Sequence, residues 1–157
     1  MVIRHRFCRE VAGKMGIIIA GFSHRLKVIA LLLVAFHFVV VVLHSIAHEV
    51  LKVKATPAQL AFIIPVIIVA PVVAGVMLPK FSRAGTVLLF VSMLGSFVFG
   101  LYYHFIADTI DHVSHVARLQ PAFWSTMFQL TAYLLLVSEL LGTVVSGLLL
   151  AQARRSG

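Results

Sequence analysis

Four blocks of apolar residues, each long enough to cross a membrane, constrain this chain more than any other feature. They run over about 28–48, 58–78, 84–106 and 123–150. A hydrocarbon core of roughly 30 Å takes about 20 helical residues to cross. Lipid offers no water to the backbone, so each block must satisfy its own hydrogen bonds, which an α-helix does. The expected fold is therefore an all-α integral membrane protein, a four-transmembrane-helix bundle. The composition excludes the other classes: 61% of the 157 residues are apolar and 11% are charged, against about 45–50% and 25% in soluble domains. Neither a water-soluble enzyme nor a disordered chain has that balance, and the connections are too short for an extramembrane domain.

The net charge of +8 does not point to nucleic acid, because the basic residues flank the spans and report orientation. Arg4, Arg6, Arg9, Lys14, Arg25, Lys27, Lys80, Arg83, Arg154 and Arg155 fall on one side, and Lys52, Lys54 and Arg118 on the other. The positive-inside rule then predicts a multi-pass protein of the cell (inner) membrane with both termini cytoplasmic. Residues 1–27 form a basic segment before the bundle of 28–150, and residues 151–157 a cytoplasmic tail. Within the first segment, Ile3, Phe7, Val11, Met15, Ile18 and Phe22 recur at helical spacing with basic residues between them. That pattern predicts an amphipathic interfacial helix on the inner leaflet. The apolar stretch 16–22 is short and is followed by His24, Arg25 and Lys27, so no secretory signal is expected. Cys8 is the one cysteine, which excludes an intramolecular disulfide.

Pro65 and Pro71 interrupt the second span, where each removes a backbone donor and bends the helix. Ser92, Ser96 and Gly100 on the third span, and Ser138, Gly142 and Ser146 on the fourth, are small residues at a spacing of four. Such stripes let helix backbones approach, within a bundle or across an oligomer.

The chemistry lies in the eight histidines. His37, His44 and His48 differ in direction by no more than about 40° on the first helix, so they share a face. His104, Asp108, Asp111 and His115 follow offsets of 4, 3 and 4, with His112 beside them, and form one stripe if the third helix continues past the membrane. At about 1.5 Å per residue, His44 and His48 lie about 24 and 30 Å from the inner boundary, and His104 about 30 Å. Imidazoles and carboxylates from two helices thus reach one level, predicted to be the outer face, with Glu49 adjacent. Imidazole and carboxylate ligate zinc and iron, and imidazole also suits copper. The pair His44/His48 is an i, i+4 pair on one helix turn but not the H-E-x-x-H of metalloproteases. The candidate ligands are His44, His48, His104, Asp108, Asp111, His112 and His115, holding a transition-metal ion (zinc, iron or copper). A haem needs only one imidazole from each of two facing helices, and His44 or His48 with His104 meets that condition.

Glu139 sits within the fourth span, where a carboxylate is costly and marks function by default. It lies about 16 Å from the inner face and His37 about 13 Å, so the two form a buried pair or a proton relay. Three readings follow: a membrane metalloprotein acting on a lipid-soluble substrate, a non-catalytic accessory subunit of a larger membrane complex or homo-oligomer, and a small proton-coupled transporter or pH sensor. The metalloprotein, with redox or metal-dependent chemistry at the His/Asp site, is the leading expectation, and the other two are its alternatives.

Overall fold

The structure is a computed structural model that describes the backbone of residues 2–155 and the side chains of 23–154, in both cases without Phe81. Among the described residues, five helices follow in order: α1 (Val2–Leu51), α2 (Pro57–Met77), α3 (Ser82–Ile106), the single turn α4 (Val113–Val116) and α5 (Ala122–Arg155). Four of them contain apolar spans long enough to cross a membrane: Ser23–Leu51, Pro57–Met77, Ser82–Ile106 and Ala122–Arg154. The chain is a four-helix membrane bundle. The expected amphipathic face of residues 3–22, and Cys8 with it, lies outside the described side chains.

The helices form a ring in which α5 packs along both α1 and α3, and α2 closes the ring between α3 and α1. Large apolar side chains such as Leu32, Val76 and Val98 are exposed, which is the surface a bilayer covers. Inside, α1 buries Ala30, Val34, His37, Val41, His44 and Ala47, a stripe at helical spacing of three and four. The small-residue stripes lie on the α3–α5 seam: Ser92, Ser96, Ser138 and Ser146 are fully buried. Each serine donates to a carbonyl of its own helix, so these four hydroxyls are satisfied within the seam.

Two glycines mark the closest approaches. A Cβ on Gly85 would stand 2.9 Å from the Leu78 backbone nitrogen, and one on Gly142 would stand 2.9 Å from Met93 Cγ. Backbone cannot yield, whereas the flexible Met93 side chain has rotamers through which a buried contact relaxes in part. Gly85→Ala is therefore expected to destabilise the bundle by about 2 kcal/mol, within the range for overpacking, and Gly142→Ala by clearly less. Detergent-solubilised unfolding midpoints would check this, and an equal loss in both variants would refute it.

Pro71 acts through one carbonyl. Residues Ile63–Val69 of α2 are wound as a π-helix around Pro65. Pro71 has no N–H for the Ile67 carbonyl four residues before it, and that carbonyl receives His37 Nε2–H at 3.1 Å. A neighbouring helix thus satisfies the backbone group the proline left free.

Candidate metal centre

His44, His48 and His104 come together at the end of the bundle that carries the 52–56 and 107–121 connections. One nitrogen from each ring lies within 4.8 Å of the other two. Each imidazole is held in place by a different local device.

His48 is fixed by how α1 ends. Lys52 adopts φ 59°, Lys52 N–H bonds the Glu49 carbonyl at 3.3 Å, and Val53 N–H bonds the His48 carbonyl at 3.0 Å. This is a Schellman turn. It folds Val53 back so that its carbonyl accepts His48 Nδ1–H at 2.8 Å. His104 stands in the last, π-helical turn of α3, Tyr102–Ile106. The chain then doubles back, and the Asp111 carbonyl accepts His104 Nδ1–H at 3.0 Å. His44 meets Thr131 of α5, its Nδ1 lying 2.9 Å from Oγ1. The Thr131 hydroxyl donates to the Met127 and Phe128 carbonyls, so its oxygen accepts from His44.

All three rings therefore spend their N–H at Nδ1 on an oxygen, which leaves Nε2 as the lone-pair nitrogen. His44 Nε2 is buried with no hydrogen-bond partner. An imidazole oriented through one nitrogen and free at the other is the arrangement found in metal-ligating histidines. The rings crowd one another, with centroids 4.8 Å apart for His44–His48, 5.0 Å for His44–His104 and 6.1 Å for His48–His104. Phe128, fully buried, packs against all three at 4.5–5.5 Å. Tetrahedral ligands at 2.0–2.1 Å from an ion stand about 3.3 Å apart.

The structure does not form the expected stripe of His104, Asp108, Asp111 and His115 along one helix. Helix α3 stops at Ile106, and Ala107 is extended at ψ 135°. Asp and Thr side chains compete for backbone groups and favour turns over helix. Here Thr109 Oγ1–H donates to the Tyr103 carbonyl at 3.2 Å and helps hold the turn. Asp108 and His115 pair with each other at 3.2 Å on the surface, and His115 Nδ1–H is held by the Thr109 carbonyl at 2.7 Å. His112 caps the N-terminus of α4, accepting from Ser114 N–H. Among the described residues, the ligand atoms that converge are those of His44, His48 and His104, without these three. Asp111 is intermediate: it is buried, its carbonyl orients His104, and its Oδ1 has no partner. Glu49 pairs with Lys52 at 3.1 Å in full exposure.

Deeper in the bundle, His37 and Glu139 face each other, with Nδ1 and Oε1 3.9 Å apart and both side chains buried. That separation is too long for a hydrogen bond. A cavity of about 390 Å³ connects the two levels, reaching from His44, His48, His104 and Asp111 down to Ser96 and Glu139. It opens beside the first half of α2, which stands off from α1; the two helices meet closely from Ile67 onward. No family model, curated protein or solved structure matches the chain.

Sequence reasoning missed Thr131, Phe128 and the two carbonyls that orient His48 and His104. Thr131 had a signal: it lies seven residues before Ser138, on the same face as the small-residue stripe of α5. The carbonyls had none, because every residue carries one.

Proposed function

We propose that the protein is a membrane metalloprotein in which His44, His48 and His104 hold one transition-metal ion through Nε2. The observation that carries this reading is that all three rings are oriented through Nδ1 by oxygen acceptors on three different segments. Three neutral nitrogen donors leave a tetrahedral ion one position for water or another ligand, the donor set of open zinc sites. Iron and copper accept the same ligands. A bare ion fits this spacing better than haem. His44 lies edge-on within 5.0 Å of both other rings, where a macrocycle between His48 and His104 would have to spread. The Asp111 carboxyl is the candidate additional ligand, and Asp108, His112 and His115 are not part of this proposal.

The ion would face the cavity, so its open position would meet a molecule arriving from the bilayer. There it would polarise an oxygen of that molecule or of water. The ten-to-three imbalance of basic residues favours placing this end on the outer face, with both termini inside.

Elemental analysis of the full chain purified without chelators is the test. About one zinc, iron or copper per chain is expected. Loading from about a hundredfold to a thousandfold excess over the dissociation constant should stabilise the fold by about 3–4 kcal/mol. Chelator dialysis should reverse that shift. A folded preparation that neither contains nor takes up these metals refutes the proposal.

A further inference from the structure

The cavity has two polar poles with hydrocarbon between them. The imidazole group is one pole, and the carboxyl of Glu139 is the other, with Val41, Ile63, Ile67, Phe99 and Leu135 along the walls. The deep pole is unsatisfied. Glu139 Oε2 is buried without a partner, and His37 stays 3.9 Å from Oε1. A buried carboxyl left unbonded is costly, most of all inside a membrane. An occupant that donates a hydrogen to it makes the bond the protein leaves unmade. Gly100 keeps that approach clear, since a Cβ there would stand 3.5 Å from Oε2.

We propose that this cavity binds an uncharged, membrane-soluble phenol, its hydroxyl donating to Glu139 Oε2 and its apolar body reaching toward the imidazoles. The volume of about 390 Å³ falls in the range of small-molecule sites, which are mostly apolar with a few placed polar groups. The length fits as well. Counted along α3 from Gly100 to His104 and along α5 from Thr131 to Glu139, the poles are about 6 to 12 Å apart. One aromatic ring with a short chain covers that span. Phe99, itself stacked on Phe62 at 5.0 Å, offers the ring an aromatic wall. Lys54 is offset in the lining by Glu49 and Asp111, so those charges do not select a charged occupant, and the apolar walls disfavour one. The proposal stands on the cavity and on Glu139, and does not require the metal.

The full chain in nanodiscs, with empty nanodiscs subtracted, is titrated with 4-pentylphenol, its methyl ether 4-pentylanisole and pentylammonium. Metal content is read on the same samples, so failure of the metal reading is seen separately. Saturable binding of one phenol per chain is expected, with the ether at least tenfold weaker for lack of a donor. Glu139→Leu should weaken the phenol at least tenfold and leave the ether unchanged. Gly100→Ala retains the carboxyl and tests the same route if Glu139→Leu fails to fold; it should also weaken the phenol. Equal binding of phenol and ether, undiminished phenol binding in the folded variants, tighter binding of pentylammonium, or no saturable phenol binding overturns the proposal.

Discussion

Replacing His44 and His104 together by alanine is expected to take the bound metal from about one per chain to near zero. Two of the three proposed nitrogen donors disappear, one from each helix, and the surviving His48 cannot hold an ion alone against chelation by buffer. The variant loses one hydrogen bond at each ring and part of the packing on Phe128, so its folding is read by the unfolding midpoint on the same sample. Each such bond contributes about 1 kcal/mol net. Thr131→Val sharpens the test. It keeps the shape but removes the oxygen that orients His44, and loss of such an outer partner typically weakens metal binding 10–100-fold. Thr131→Ser should restore the affinity. Elemental analysis and competition with a chromogenic chelator check all three variants. Full metal retention in the double variant would show that the ion sits elsewhere.

Phe128→Ala in the metal-free protein is expected to cost about 3 kcal/mol of stability. Its ring is fully buried among Ala47, Leu51, Val53 and Val116 and touches all three imidazoles. Buried Phe→Ala changes cost about 3–5 kcal/mol. The lower figure applies here, because packing and not transfer from water holds membrane helices together. Denaturation of the chelator-treated protein in detergent isolates this term from any metal effect. The same variant should bind metal more weakly, since the cavity left behind lets the rings turn away. A stability change below about 0.5 kcal/mol would contradict the packing described.

The bundle was legible because membrane spans impose a strong, local rule. About twenty apolar residues must be a helix, and a straight helix rises by a constant amount per residue. Depth can therefore be counted along the chain, and that count places His44, His48 and His104 at one level before any packing is known. The same arithmetic brought His37 and Glu139 near each other. It did not hold for the stripe from His104 to His115, because it extended a helical register beyond Ile106, where lipid no longer enforces helix. Outside the bilayer, water satisfies the backbone, and side chains such as Thr109 compete for it.

The sequence by itself determined the helices, their amphipathic stripes and the heights of the buried polar groups. Only the tertiary structure decided the azimuths, and with them the partners. Thr131 reaches His44 from 87 positions away, and the Ile67 carbonyl reaches His37 from 30. The stand-off of α2 that opens the cavity belongs to the same level. Rise along a helix is fixed by backbone bonding four or five residues apart, whereas rotation about its axis is fixed by side-chain packing against three other helices.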